Sequence, residues 1–409
     1  MVKPEYKQTE IGIIPEEWEV VTIGDVASFQ GGSQPPIQHF VFQEQEGYIR
    51  LVQIRDYKTD KYLTYIPISL AKRFCTKDDI MIGRYGPPIF QILRGIEGSY
   101  NVALIKATPK DVDKEFLFYI LKAETLFEYI DLLSRRSSGQ TGVDLDGLRE
   151  YKIGLPPKSE QICIADALSN MDRLISVIEK QIAKKKGIKQ GAMQELLTGK
   201  KRLPGFSGDW QKFILMKHSK IKARIGWQGL KKSEYLDSGY ALLVTGTDFA
   251  DGKVQWDSCH YVTRDRYDQD RNIQIQNNDI LITKDGSLGK AALVRGLSKP
   301  ATLNSGIFVI RPLQNAYDPV FVYHILSSFV FKDFLDKLSA GSTIIHLYQK
   351  DVGKFEFLLP PTIEEQKAIA EVLSEMDADI AALEEKLAKY RQVKQGMMQQ
   401  LLTGKIRLV

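Results

Sequence analysis

Two long stretches of the chain place apolar residues at alternating steps of three and four. The positions are Leu168, Met171, Ile175, Ile178 and Ile182 in the first stretch, and Leu373, Met376, Ile380, Leu383, Leu387 and Tyr390 in the second. A period near 3.5 residues is typical of the a/d seam of a coiled coil. We therefore predict two long helices of about 38 residues, each spanning roughly 57 Å.

Both stretches carry helix start and stop signals. A Pro-Pro pair precedes each one, and Thr362 with Glu365 predicts a capping box at the start of the second. Gly199 and Gly404 suit the C-terminal ends, because glycine adopts the left-handed conformation there at little cost.

The two stretches are copies of one segment. From Gln161 and Gln366 onward they align without gaps at an offset of 205 residues, and about half of the positions are identical. Such a duplication favours a pseudo-two-fold arrangement in which the helices pack antiparallel, with one globular domain at each end. A helical hairpin that only stiffens the protein is the alternative.

A fainter repeat extends into the globular parts, where Asp79–Ile82 is answered by Asp279–Ile282. Short apolar runs predict strands, and amphipathic segments such as residues 115–133 predict helices. The expected fold class is α+β with a pseudo-two-fold internal repeat. The predicted boundaries are 1–157 and 204–361 for two globular domains, and 158–203 and 362–409 for two antiparallel coiled-coil helices.

These features together resemble the specificity subunit of type I restriction-modification systems, over essentially the whole chain. The resemblance rests on the entry at Pro15–Trp18, the stretch Leu155–Ile164 with its copy, and the two LLTGK tails. It implies that the globular domains are target-recognition domains, each reading one half of a bipartite DNA site. Because the two domains differ strongly outside the repeated positions, we expect an asymmetric site.

The resemblance also implies partners. Two methyltransferase subunits that bind S-adenosylmethionine would dock on the helices and methylate adenine, and two restriction subunits that use ATP and Mg²⁺ can join them. These cofactors belong to the partner subunits, so we expect none in this chain and no catalytic residue. The partner chemistry follows from the resemblance and from no motif in the residues.

Polar and basic residues cluster in the loops of both globular domains. Arginine can pair with guanine through two hydrogen bonds, and glutamine can pair with adenine. The candidate DNA contacts of the first domain are Gln30, Ser33, Gln34, Arg50, Gln53, Arg55, Arg84, Tyr85, Arg135, Arg136 and Gln140. Those of the second domain are Trp227, Gln228, Lys231, Lys232, Thr245, Lys284, Lys290, Ser342 and Thr343. For any single residue, a solvated loop position is the alternative.

Local patterns refine this set. Arg50, Gln53 and Arg55 are expected to alternate on one face of a strand, and the residues around Arg135 to form a basic loop. Residues 30–34 are expected to form a polar loop with a close backbone approach, which Gly31 and Gly32 permit. The run of lysines at positions 184, 185, 186 and 189 is interpreted as a solvated helix face, with phosphate contact or partner docking as alternatives.

The sequence contains no complete motif of a catalytic or metal site. Gly286–Lys290 resembles a phosphate-binding loop, but position 291 is Ala where Ser or Thr is needed. Gly86–Phe90 lacks the polar first residue of the amino-methyltransferase loop. The five histidines lack metal-ligand spacing and are predicted to be surface or loop residues. The three cysteines are too far apart for a zinc site, and a reducing cytoplasm is the simplest interpretation.

The net charge of +5 is too small to identify a nucleic-acid binder. Two other functions are alternatives to DNA recognition. A stand-alone restriction enzyme would need methyltransferase and nuclease motifs, and these are absent from the sequence. A scaffold built on a coiled coil would bind DNA without sequence dependence.

Overall fold

The computed structural model describes residues 5–136, 142–339 and 347–408, without the side chains of Arg136 and Trp227. Contacts divide the chain into two compact units: unit 1 is Met1–Glu179 with Glu385–Val409, and unit 2 is Lys180–Glu384. None of the described helices is long and apolar enough to cross a membrane. Within the same residues, no group of three or more His, Cys, Asp or Glu side chains is placed to hold a metal ion.

Unit 1 contains twelve strands in the described part of the chain. They are β1 (Tyr6–Thr9), β2 (Gly12–Pro15), β3 (Glu19–Thr22), β4 (Ala27–Gly31), β5 (Tyr48–Val52), β6 (Tyr65–Pro67), β7 (Phe74–Cys75), β8 (Ile80–Gly83), β9 (Gln91–Leu93), β10 (Gly98–Tyr100), β11 (Leu104–Pro109) and β12 (Lys152–Leu155). Two four-stranded sheets have the orders β6-β5-β10-β7 and β4-β11-β8-β9, while β1-β2 and β3-β12 form antiparallel pairs.

Unit 2 repeats this plan. Its strands are β13 (Gln211–Ile214), β14 (Ser219–Ala223), β15 (Ala241–Val244), β16 (Phe249–Ala250), β17 (Lys253–Val254), β18 (His260–Val262), β19 (Ile280–Thr283), β20 (Ala291–Leu293), β21 (Ala301–Leu303), β22 (Ile307–Pro312) and β23 (Glu356–Leu359). The order β14-β22-β19-β20 corresponds to β4-β11-β8-β9, and β13-β23 corresponds to β3-β12. The duplication inferred from the sequence is therefore present in the sheets.

The described residues also form helices, two of which are much longer than the others. They are α1 (Ile23–Val26), α2 (Lys114–Leu121), α3 (Glu124–Arg136), α4 (Leu145–Glu150), α5 (Lys158–Leu196), α6 (Leu215–His218), α7 (Arg264–Asp268), α8 (Pro319–Leu326), α9 (Phe329–Ser339), α10 (Gln349–Val352) and α11 (Ile363–Leu401). The mixture of helix and sheet agrees with the predicted α+β class.

The two predicted long helices exist, and each has 39 residues. The apolar seam is buried at Leu168, Ile178, Leu373 and Ile380. Both helices end three residues before a glycine with positive φ, Gly199 and Gly404 at +71° each.

Within unit 1, α5 and α11 run antiparallel. Asp172 pairs with Lys394 at 2.5 Å, and Glu179 pairs with Arg391 at 2.6 Å. The partner numbers fall along α11 as the numbers rise along α5, which defines the direction. Such partly exposed pairs contribute little stability individually, but they fix the register of the helices.

Within unit 2, the lysine run of α5 pairs with acidic residues of α11. Lys185 contacts Asp379 at 2.6 Å, Lys186 contacts Glu384 at 2.7 Å, and the Lys189–Asp377 pair at 2.5 Å corresponds to the Asp172–Lys394 pair of unit 1. The side chains of Lys185 and Lys186 are 44% and 58% exposed, which agrees with the interpretation as a solvated face, whereas Lys189 is 19% exposed; each of the three also has a carboxylate partner.

A repeated glutamine ties each long helix to its globular part. Gln161 accepts a hydrogen bond from the backbone N–H of Asp113 at 2.8 Å, and Gln366 does the same with Asp318 at 2.8 Å. Each aspartate is in turn the N-cap of a helix, α2 or α8. The EQ pair of the duplicated segment is thus a structural contact in both units.

The residues that follow each long helix, here termed its tail, contact the start of the other long helix. In unit 1, the carboxylate of Glu160, whose side chain is 0% exposed, accepts hydrogen bonds from Arg407 at 2.6 Å and from Trp18 at 2.9 Å. In unit 2, Arg202 donates to Glu365 at 2.5 and 2.7 Å. The tail of α11 therefore completes unit 1, and the tail of α5 completes unit 2.

Two local predictions are corrected by these contacts. The hydroxyl of Thr362 accepts from the N–H of Glu365 at 3.3 Å, but the Glu365 carboxylate pairs with Arg202, so only half of the capping box forms. His324 is not a surface or loop residue: it lies in α8, is 1% exposed and contacts the Ser374 hydroxyl at 3.2 Å.

Candidate nucleic-acid interface

Four strands of unit 1, namely β4, β5, β8 and β10, end side by side. The N–H of Asn101 donates to the carbonyl of Val52 at 3.1 Å, and the N–H of Arg84 donates to the carbonyl of Ala103 at 2.8 Å. We term the segments that follow these strands the strand-end edge of unit 1. It comprises residues 31–34, 52–57, 84–86 and 101–103.

Unit 2 has the same construction at β14, β15, β19 and β21. The N–H of Asn304 donates to the carbonyl of Val244 at 3.0 Å, and the N–H of Lys284 donates to the carbonyl of Gly306 at 2.9 Å. The strand-end edge of unit 2 comprises residues 223–228, 244–248, 284–290 and 304–306. Lys284 is thus the counterpart of Arg84.

Gly32 makes a close backbone contact within unit 1. A Cβ at this position would lie 1.9 Å from the carbonyl oxygen of Asn101, which no side chain could tolerate. The next residue, Ser33, donates its N–H to the carbonyl of Tyr100 at 3.1 Å. The 31–34 segment is therefore held tightly against the end of β10.

Six candidate residues of the first domain lie at this edge or directly beside it: Gln30, Ser33, Gln34, Gln53, Arg84 and Tyr85. Tyr85 is 41% exposed, and the Arg84 guanidinium lies over its ring at 5.5 Å from the centroid. As predicted, Arg84 follows a buried strand, β8. Arg84 is partly exposed, and its buried Nε has no hydrogen-bond partner among the described residues.

Arg50 and Arg55 are engaged within unit 1. Arg50 contacts Asp60 at 3.2 Å and the buried Asp56 at 3.6 Å, and Arg55 donates to the Thr64 hydroxyl at 3.1 Å. Burial raises the pKa of the Asp56 carboxyl, although both arginines oppose this. The expected single strand face was wrong, because β5 ends at Val52 and a 3-10 turn follows.

The predicted basic loop near residue 135 is also corrected. Helix α3 extends through Arg136, and Arg135 pairs with Asp131 one turn earlier at 2.7 Å. The side chain of Arg136 and all of Gln140 lie outside the described residues.

The candidates of the second domain are distributed unevenly. Thr245 and Lys284 lie at the strand-end edge, and so does Lys290, whose ammonium donates to the carbonyl of Phe249. Gln228 also lies there but is only 7% exposed. Two further candidates, Lys231 and Lys232, are exposed in the adjoining loop. The side chain of Trp227 and all of Ser342 and Thr343 lie outside the described residues.

Sequence reasoning missed Arg224, which directly follows β14 and is 1% exposed. Its position corresponds to Gly32, because β14 pairs with β22 as β4 pairs with β11. A charged residue aligned with a required glycine was the available signal, but only the paired strands establish that alignment.

The units differ in charge. Unit 1 contains 27 Lys and Arg against 27 Asp and Glu, whereas unit 2 contains 29 against 24. The formal excess of +5 therefore lies entirely in unit 2. Any electrostatic attraction of a polyanion by net charge would act mainly through unit 2.

Comparisons with known proteins agree on one family. The family model described as type I restriction modification DNA specificity domain matches residues 15–186 and 228–392. The MjaVIII specificity subunit, a type I restriction enzyme subunit of Methanocaldococcus jannaschii, is 28% identical over 97% of this chain and 94% of its own. The EcoBI specificity subunit of Escherichia coli is 21% identical over 96% and 87%.

Solved structures show a similar fold. The S subunit of a type I restriction-modification system from M. genitalium superposes with a TM-score of 0.61 at 17% identity, covering 98% of this chain and 99% of that one. A chain from a study of complex assembly in the type I R-M system gives 0.57 at 17% identity, with coverages of 96% and 99%.

Proposed function

The chain belongs to the family of type I restriction-modification DNA specificity domains, and from this membership we propose that it selects a bipartite, asymmetric DNA site for partner subunits. It is the recognition component of such a system and not a catalytic one. The selected site is then methylated at adenine, or restricted, by the partners.

The observation that supports this proposal is the pair of strand-end edges. They share backbone hydrogen bonds at equivalent places but differ in their side chains, with Arg84 against Lys284 and Gln53 against Thr245. Two edges that share their backbone hydrogen bonds but present different side-chain donors and acceptors suit two different half-sites. We propose that the candidate residues at the strand-end edges contact DNA. They are better candidates than Arg50, Arg55 and Arg135, which are engaged by partners within unit 1.

We further propose that residues 1–157 and 204–361 are the target-recognition domains and that α5 and α11 form an antiparallel coiled coil. The opposed ion pairs within each unit support this pairing. The coiled coil would set the spacer between the half-sites and dock two methyltransferase subunits, to which two restriction subunits can be added.

Reconstitution tests the proposal. The purified chain is mixed with its partner methyltransferase and S-adenosylmethionine, and methyl transfer to DNA is measured with and without each component. We expect transfer only from the combination and only at one sequence. Transfer by this chain alone, or equal transfer by the partner alone at the same site, would contradict the proposal.

A coiled-coil scaffold without a DNA role is the competing function. It predicts equal affinity for all duplexes at every salt concentration, so competition between specific and unrelated DNA separates the two.

A further inference from the structure

A buried aspartate occupies the same place in both strand-end edges. Asp56 and Asp248 are 4% and 5% exposed, and each is the third residue of a 3-10 turn that follows a strand, β5 or β15. One carboxylate oxygen accepts the backbone N–H of the residue before the turn, Gln53 at 3.2 Å or Thr245 at 2.7 Å. The two four-residue segments have only the aspartate in common, so the contact is kept where the neighbouring residues differ.

In unit 2, the carboxylate of Asp248 also holds a side chain that is a candidate for DNA contact. The oxygen that accepts the Thr245 N–H accepts the Thr245 hydroxyl as well, at 2.8 Å. The other oxygen accepts the hydroxyl of Ser258 at 3.1 Å. Hydrogen bonds to a charged acceptor are stronger than those between neutral groups. One buried group therefore fixes both the backbone and the side chain of Thr245.

The two turns lie against the ends of the neighbouring strands. A Cβ on Gly83 would lie 3.4 Å from Cδ1 of Ile54, and a Cβ on Gly246 would lie 3.0 Å from Cγ2 of Thr283. Gly83 and Thr283 are the last residues of β8 and β19, and each is followed directly by the basic residue of its edge. A displaced turn would therefore disturb two segments of the edge at once.

We propose that Asp56 and Asp248 are positioning residues, each of which fixes one strand-end edge for the DNA half-site that this edge reads. Because both are buried, they act through Gln53 and Thr245 and do not touch DNA themselves. Side chains that discriminate bases must hold their donors and acceptors in a fixed geometry, which supporting hydrogen bonds provide. The inference rests on the proposed function.

The test maps methylation by the complex of the full chain with its partner methyltransferase and S-adenosylmethionine, on duplexes of randomised sequence. For every position of both half-sites, it measures the ratio of methylation with the preferred base pair to methylation with the other base pairs. Asp56→Asn and Asp248→Asn each remove one carboxylate and keep the size of the side chain.

Asp279→Asn is the matched control in unit 2. Asp279 is 3% exposed and accepts the N–H of Gln276, three residues earlier, at 2.7 Å, so it makes the same kind of contact as Asp248. It directly precedes β19, however, and the edge begins after that four-residue strand, about 13 Å further on. Asp279 also pairs with Arg311 at 2.6 Å, so its loss should destabilise unit 2 at least as much.

We expect Asp56→Asn and Asp248→Asn each to lower discrimination about tenfold in one half-site, and the two variants to affect different half-sites. Asp279→Asn should lower the unfolding temperature and leave discrimination in both half-sites unchanged. Should Asp248→Asn fail to fold, Ser258→Ala removes one of the three donors to the same carboxylate. It should lower discrimination about threefold in the half-site read by unit 2.

Equal relaxation by Asp279→Asn would show that lost stability alone is the cause and would overturn the inference. Unchanged discrimination in the folded Asp248→Asn or Ser258→Ala complex would overturn it as well, as would a fall in methylation that is equal at all sequences. If the wild-type complex methylated all sequences equally, the proposed function itself would fail.

Discussion

The exchange of tails predicts that the last residues of the chain stabilise the globular part formed by its beginning. Arg407 donates to Glu160 at 2.6 Å and to Glu17 at 2.7 Å, and the same carboxylate of Glu160 accepts from Trp18. We therefore expect Arg407→Met to destabilise unit 1 and to leave unit 2 intact.

The magnitude follows from burial. The side chains of Arg407 and Glu160 are 7% and 0% exposed, so the substitution leaves a buried carboxylate without its cation. Breaking such a pair costs about 3–5 kcal/mol, and the retained bond from Trp18 favours the lower end, about 3 kcal/mol. For a unit of this size, that corresponds to a fall of roughly 6–12 °C in the unfolding temperature.

Hydrogen exchange followed by mass spectrometry assigns the effect to a unit. Arg407→Met should speed exchange in peptides around Trp18, and the matched variant Arg202→Met should do so around Trp210 in unit 2, over whose ring the Arg202 guanidinium lies at 5.9 Å. Adding Glu160→Gln to Arg407→Met should recover part of the loss, because the buried charge is gone while the acceptor for Trp18 remains. Faster exchange in unit 2 from Arg407→Met, or in neither unit, would refute the exchanged arrangement.

Three further predictions concern pH, spacing and symmetry. Burial lowers the pKa of His324 to about 3. Below about pH 6.5 the unfolded chain therefore binds a proton that the folded chain does not. The free energy of unfolding should fall by about 1.4 kcal/mol between pH 7.5 and 5.5. His324→Tyr, which copies Tyr119 of unit 1, should flatten that dependence in urea titrations, and an unchanged dependence would argue against it. Inserting about four residues into both α5 and α11 adds near 6 Å and should lengthen the spacer between the half-sites by about two base pairs. An unaltered spacer in methylation maps would contradict the proposal that the coiled coil sets it. A fragment of residues 1–203 should dimerise, because Arg202 of one fragment can replace Arg407 beside Glu160 of the other. The dimer should direct methylation to an interrupted palindrome. A monomer in sedimentation would show that the two halves of the chain are not interchangeable.

The elements predicted best were those encoded by local periodicity. The seam led by Leu168 and its copy led by Leu373 placed both long helices within a few residues, because every third or fourth residue must be apolar to bury one face. The strand-end position of Arg84 was also visible, since β8 is a continuous apolar run bounded by polar residues.

What the sequence did not reveal were contacts between distant residues. Arg202 and Arg407 reach carboxylates 163 and 247 residues away, and nothing local marks them. His324 was misjudged because it is buried against Ser374 of α11, a contact between residues 50 apart in the sequence. Arg50 and Arg55 were counted as available for DNA, but their partners Asp56, Asp60 and Thr64 became apparent only in the folded unit.

We propose that this chain determines which DNA sequence its partners modify. The most direct test of this role is methylation mapping of host DNA from cells that have the gene for this chain, lack it, or have it restored. We expect one asymmetric, bipartite adenine-methylated motif that disappears with the chain and returns with it. An unchanged set of methylated motifs in cells without the chain would contradict this role.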